Sequence, residues 1–383
     1  MFESIVVYGI MLFSMIFLAK QYGYTNKVKF YFFFILSYSI IMGCRYGVGV
    51  DYYSYLDCYN MWSLEGEKHF LHFGVLFSAF TTACDYLNLH PVIYFTIISI
   101  VQILTIFSVV KYCKPLLPFA VFVFLATGLG ISGVTNGIRQ YLAVGVTVCS
   151  IKFIYEKRFI PFLVLIFIAF LFHKTALVVL PFFILGFYSP RFFKNVGLQL
   201  IVLITAYLIH YIYPDLFLHI FDDYEYLIVG LGFNDKYLTN EYMGLSSDGI
   251  GVMGLAMLLV DIVVILYSNK IKSKFSGDFD LINIIYIFWF IGVIGDTLFT
   301  GSLVFDRLFQ YFSIYDIVIY PAAFLYYKCN KQLQAACLLL LFTFTLSFTR
   351  TIYYGDANTS RYVFYFQYDQ WASKQREYNM NYH

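Results

Sequence analysis

The sequence predicts an all-α polytopic membrane protein, and three observations carry that prediction. Of its 383 residues 61% are hydrophobic and only 13% charged, where soluble domains carry about 25% charged residues. The apolar residues arrive in runs close to the roughly 20 residues that cross a bilayer core, divided by short charged segments. Lipid cannot satisfy free backbone N–H and C=O groups, so spans must be helices or a closed barrel, and uninterrupted runs such as Leu116–Leu125 lack a barrel's alternation.

Hydropathy places about twelve spans, within a range of roughly 10 to 14. They are Ile5–Ala19, Phe30–Cys44, Pro91–Val110, Leu116–Ser132, Ile138–Tyr155, Phe159–Phe172, Thr175–Tyr188, Gly197–Tyr213, Gly251–Tyr267, Leu281–Leu298, Leu308–Tyr327 and Leu333–Phe348. The first lacks a basic segment before it and a small-residue cleavage site after it, so it reads as a retained helix. Phe70–Leu87 is apolar, but counting it as a span inverts every later loop; it reads as re-entrant or lying along the outer interface. No repeat or linker divides the chain, which leaves one helical membrane domain over residues 1–348, outer loops 45–90 and 214–250, and an outer tail over 349–383.

Orientation follows from where Lys and Arg fall. The clusters Lys20/Lys27/Lys29, Lys111/Lys114, Lys152/Lys157/Arg158, Arg191/Lys194, Lys270/Lys272/Lys274 and Lys328/Lys331 share one side, the cytoplasm in this reading. Most carboxylates then lie outside. A net charge of +2 offers no surface for nucleic acid, and seven cysteines with no C-x-x-C pair argue against a disulfide framework or a zinc site. Aromatic residues make up 22% of the chain, which suits interfacial belts and also stacking against sugar rings.

Basic residues kept on the outer side are the candidates for chemistry. Arg45-Tyr46-Gly47-Val48-Gly49-Val50-Asp51-Tyr52-Tyr53-Ser54-Tyr55 begins where the second span ends. Its two glycines allow a tight turn that can aim Arg45 and Asp51 into one space; Arg45 either grips a phosphate with its planar fork or snorkels and pairs with Asp51 to end the helix. Arg139, in Gly137-Ile138-Arg139-Gln140-Tyr141, opens a helix whose macrodipole it opposes, so it calls for an anionic partner. His173-Lys174 closes the sixth span, and Asp306-Arg307 opens the eleventh, ahead of Tyr311. Four outer helix ends with a cation or His, at membrane depth, make a functional hypothesis. Asp261, Asp296 and Asp316 are either proton-relay groups or interhelical hydrogen-bond partners. Gly128-Leu129-Gly130-Ile131-Ser132-Gly133 matches a dinucleotide fingerprint only in letters, since no strand precedes it, and reads as helix packing. The acidic insertion 214–250 is either a solvated loop or a lid, and His69 and His72 are either metal-spaced or part of an amphipathic segment.

With those four sites in hand, the chain resembles the EpsG family of exopolysaccharide proteins, grouped with Wzy-type O-antigen and capsule polymerases. The resemblance rests on Arg45–Tyr55, Asn136–Ala143, the His-Lys-Thr-Ala at 173–176 before an apolar run ending in Pro181, and Arg307–Tyr311, in that order across roughly Ile5–Phe348. It implies a GT-C-like membrane glycosyltransferase of bacterial cytoplasmic membranes, working at the outer face without a metal or other cofactor. Its donor and acceptor would be undecaprenyl-pyrophosphate-linked oligosaccharides, and flippase and chain-length proteins would be partners. Arg139 and Arg307 would hold the pyrophosphate, assisted by Arg45, with Tyr52, Tyr55, Gln140, Lys174 and Tyr311 as further substrate contacts. His173 or Asp51 would take the acceptor proton. A flippase for the same lipid, an O-antigen ligase and a structural subunit of an export assembly are the competing readings. From Tyr362–Trp371 no residue carries over.

Overall fold

The structure, a computed structural model, describes residues 2–62, 74–188, 190–213, 251–277, 279–299, 303–353 and 361–367. It is helical throughout apart from one small sheet. In chain order the helices are α1 (Phe2–Thr25), α2 (Val28–Gly43), α3 (Tyr52–Asn60), α4 (Val75–Tyr86), α5 (Pro91–Ile106), α6 (Leu117–Ala126), α7 (Ile138–Tyr155), α8 (Phe159–Phe172), α9 (Val196–Ile212), α10 (Val252–Phe275), α11 (Ile282–Leu298), α12 (Leu303–Ser313), α13 (Asp316–Lys328) and α14 (Gln334–Tyr353). The strands are β1 (Arg45–Tyr46) and β2 (Val363–Phe364).

Four helical stretches among the described residues are long and apolar enough to cross a membrane: Glu3–Thr25, Val252–Phe275, Arg307–Lys328 and Lys331–Tyr353. A fifth results if Lys114–Ala126 and Leu129–Asn136, bent by 70°, count together. Six shorter apolar helices accompany them, so the polytopic membrane reading stands. Two expected elements differ. The span expected over Leu116–Ser132 breaks after Ala126, where Gly128 takes φ +80° and a π turn over Leu129–Gly133 follows. The glycine string is thus a packing break: a Cβ on Gly130 would lie 2.5 Å from the Phe124 ring. The span expected over Thr175–Tyr188 is wound as 3₁₀ helix over Lys174–Gly186 and contains Pro181, which has no N–H to donate. In the apolar stretch Phe70–Leu87, α4 has 12 residues; at about 1.5 Å per residue it reaches roughly 18 Å, short of a bilayer core of about 30 Å. The acidic insertion 214–250 and the pair His69 and His72 lie outside the described residues.

The chain groups into two compact units. The first comprises Met1–Cys149, Val164–Lys174 and Phe344–His383; the second, Ser150–Leu163 and Thr175–Thr343. In the first unit, close approach rests on small residues, as in membrane bundles generally. A Cβ on Gly43 of α2 would fall 1.9 Å from Thr96 Oγ1 of α5, and one on Gly145 of α7 would fall 2.0 Å from Thr105 Oγ1 of α5. The carbonyls released by the break after α6 are recovered from neighbouring helices. Tyr38 donates to Gly130 O at 2.9 Å, Gln102 to Val134 O and Ile138 O, and Ser347 to Ala126 O at 2.7 Å.

In the second unit, glycines again let helices meet, with Gly292 and Gly295 of α11 lying against the α12 backbone at Phe312–Ser313 and the Phe309 ring. Its membrane carboxylates bond between helices. Tyr320 of α13 donates to Asp261 of α10 at 2.7 Å, and Ser313 of α12 donates to Asp296 of α11. For these two, the interhelical reading is the observed one. Tyr286 donates to Gln199 at 2.6 Å, joining α11 to α9.

Candidate active site

The site is built on a turn that the sequence forces at the end of α2. Gly47 takes φ +66° and Gly49 φ +108°, conformations that side chains with a Cβ resist. Space forbids a Cβ there as well: at Gly47 it would lie 2.6 Å from the Tyr53 hydroxyl, and at Gly49 3.0 Å from Thr135 Cβ and 3.2 Å from Asn136 Oδ1. The chain then enters α3, with Tyr55 N–H bonded to Asp51 O at 3.0 Å.

Arg45 lies inside this turn. It is 2% exposed, and its guanidinium donates to Val48 O at 3.3 Å and to Met42 O. It also stands over the rings of Phe95 and Tyr52, at 5.0 and 5.7 Å from their centroids. The enclosed fork holds carbonyls at the end of α2 and in the turn, which is the work of a scaffold.

The turn reaches across to the start of α7. Asn136 Oδ1 accepts the Val50 N–H at 2.7 Å, and Arg139 Nε donates to the Tyr55 hydroxyl at 3.2 Å. The Arg139 backbone N–H also bonds this hydroxyl; it belongs to the first turn of α7, whose donors lack partners within the helix. Tyr55 therefore caps α7 and aims the Arg139 side chain. Burial pushes the Tyr55 phenol up, against the pull of Arg139, so it stays a neutral hydroxyl at pH 7. Asp51 and Arg139 both act electrostatically on it. Arg139 and Asp51 are half-buried, whereas Tyr52 and Gln140 are buried.

The His173 segment belongs to the same unit. Phe172 packs against a core cluster that contains Tyr52, Tyr55, Phe77, Ile138 and Leu142, so the residues before His173 share a core with α3 and the start of α7. Gly74, at φ +85°, lies against the Leu171 and Phe172 carbonyls, where a Cβ would come within 2.9 and 3.0 Å. His173 continues the end of α8 with its N–H on Ala169 O at 2.9 Å. It is half-buried, and Lys174 is exposed. Arg307 and Tyr311 sit on α12 in the second unit. Tyr311 is fully buried with its hydroxyl 3.1 Å from Thr175 Oγ1, while Arg307 is half-buried.

The ten expected site residues thus divide by placement. Asp51, Arg139, His173, Lys174 and Arg307 retain exposure; Arg45, Tyr52, Tyr55, Gln140 and Tyr311 are enclosed. The enclosed five are all residues expected as substrate contacts.

Two contributors escaped sequence reasoning. Asn136 enters the sequence reading only as the first residue of the Asn136–Ala143 stretch, with no role of its own. The other is the C-terminal stretch Tyr362–Tyr365, where β2 pairs antiparallel with β1, Arg45 facing Phe364 and Tyr46 facing Val363. The run of aromatic and β-branched residues after the polar stretch 355–360 is its signal in the sequence.

A family model described as the EpsG family matches residues 28–369, nearly the whole chain. No curated protein and no solved structure matched.

Proposed function

The chain belongs to the EpsG family, a family of Wzy-like polysaccharide polymerases, and from that premise we propose that it joins lipid-pyrophosphate-linked oligosaccharide repeats at the outer face of a bacterial cytoplasmic membrane. The coarse part, a membrane polysaccharide polymerase, follows from membership. The observation that carries the finer part is the coupling of the Arg45–Tyr55 turn to Arg139 through Val50–Asn136 and Tyr55–Arg139. Two motifs far apart in sequence thus meet at the Arg139 guanidinium.

In the proposed reaction the acceptor sugar's hydroxyl oxygen attacks the donor's anomeric carbon. The bond from that carbon to the pyrophosphate oxygen breaks, and the electron pair leaves with undecaprenyl pyrophosphate. Arg139 meets the charge developing on that leaving group, with guanidinium donors serving where other transferases use a divalent ion. His173 takes the acceptor's proton. Asp51 is the alternative base. Lys174 adds positive charge along the lipid phosphates, and Arg45, Tyr52, Tyr55 and Gln140 position these groups.

An outer location is supported by the Lys/Arg clusters at the opposite helix ends, and about twelve crossings in a GT-C-like arrangement remain the topology we propose. The test is a strain lacking this chain. Single lipid-linked repeats should accumulate at the outer face and polymer should disappear. Repeats stranded on the cytoplasmic face would mean a flippase, and intact polymer left on its lipid would mean a ligase.

A further inference from the structure

We propose that the C-terminal segment Tyr362–Tyr365 is a strap that positions the Arg45–Tyr55 turn for transfer, with Tyr362 and Val363 as positioning residues. The inference rests on the transferase reading of that turn.

The strap is tied at three levels. At its base, Tyr362 is 2% exposed; its N–H donates to Ser4 Oγ at 2.7 Å and its hydroxyl to Ile41 O at 2.5 Å, with the ring edge-on to Tyr8 at 5.6 Å. At its centre, β2 pairs with β1, and Tyr365 N–H donates to Cys44 O at 2.7 Å. Hydrogen-bonded pairs alternate along an antiparallel ladder, so the Cys44–Tyr365 bond makes Tyr46 and Val363 the next bonded pair. Phe364 N–H turns instead to Gln367 Oε1 at 3.0 Å. At its outer end, the Tyr365 ring stands 5.8 Å from Tyr46 and 5.0 Å from His90 of the α5 N-terminus.

What the strap holds is the one segment that most needs holding. Residues 45–49 carry two left-handed glycines and end α2 without a following helical turn, so their backbone groups must find partners outside regular structure. Arg45 satisfies carbonyls from inside the turn, Asn136 takes the Val50 N–H, and the strap supplies the ladder for Cys44 and Tyr46. Loosening it frees the path from Arg45 to Asp51 and Tyr55, and with Tyr55 the aim of Arg139.

The test uses the full-length protein in lipid nanodiscs. Val363→Pro removes the ladder N–H, Tyr362→Phe removes only the hydroxyl, and Val363→Ile keeps the backbone donor. Hydrogen exchange is followed in residues 45–52 and, as an internal reference, in α10 and α11; turnover is measured with lipid-linked repeats. Val363→Pro and Tyr362→Phe should speed exchange in 45–52 and leave α10 and α11 unchanged. They should lower kcat about tenfold with little change in KM, as misplaced reacting groups do, and Val363→Ile should behave as wild type. Wild-type kcat in both damaging variants, or exchange that rises equally in α10 and α11, would overturn the proposal. The exchange comparison needs no substrate, so it reports on the strap even if Arg139 variants show that the transferase reading is wrong.

Discussion

The Arg45–Tyr55 turn of the first unit and the buried carboxyls of the second show two ways of keeping polar groups in a membrane protein. In the second unit, Asp261 and Asp296 each accept a hydroxyl from a neighbouring helix, Tyr320 and Ser313. The charge or polarity is absorbed locally, and helix packing is its use. In the first unit, Arg45 is likewise absorbed, but into backbone carbonyls, and the turn it fixes presents Tyr55 to Arg139, which stays half-exposed. A buried carboxyl bonded to a hydroxyl ends a chain of contacts, whereas a buried guanidinium bonded to a strained turn passes its constraint on to the next side chain.

The largest effect that could break this contrast lies at the proton acceptor. His173→Ala should lower turnover about 10²- to 10⁴-fold, the range of a lost general base, with binding of the lipid-linked donor retained. His173→Gln should be nearly as damaging, since an amide replaces a hydrogen bond but not a base. Near wild-type polymerisation by the Gln variant would remove His173 from the chemistry and pass the role to Asp51.

A smaller loss is expected at the turn itself. Gly49→Ala forces a Cβ onto φ +108° and to within 3.0 Å of Thr135, a strain of about 1–3 kcal/mol. Turnover should fall by roughly ten- to a hundredfold, as the Val50–Asn136 bond is displaced. Asn136→Ala, which removes that acceptor without strain, should reproduce part of the loss. Unchanged turnover in both would show that the turn does not govern Arg139.

The smallest effect belongs to the second unit. Asp261→Asn keeps an oxygen for Tyr320 and should cost about 1 kcal/mol of stability or less, read as a small shift in thermal unfolding in detergent, with turnover near wild type. A large loss of turnover at normal stability would revive the proton-relay role for this carboxylate.

How much of this was legible depended on whether the information was local. The α7 and α8 boundaries match the expected Ile138–Tyr155 and Phe159–Phe172, because each is an apolar run bracketed by turn or basic residues. The break after Ala126 was hidden, since hydropathy stays high while the backbone changes direction. Charge within apolar sequence singled out the candidate arginines, but burial separates Arg45 from Arg139, and no spacing rule shows that. Asn136 and the strap at Tyr362–Tyr365 act through partners distant in sequence, Val50 and Cys44–Tyr46, so only the folded chain reveals them.

The central claim is that Arg139, aimed by Tyr55, stabilises a departing pyrophosphate. The most direct measurement is the rate of chain elongation by purified Arg139→Lys protein supplied with lipid-linked repeats, at wild-type protein level and fold. Lysine keeps the charge and loses the planar fork and the bond to Tyr55. The account predicts a loss of about 3 kcal/mol of transition-state stabilisation, roughly a hundredfold in rate. Elongation at the wild-type rate, giving polymer of wild-type length, would contradict it.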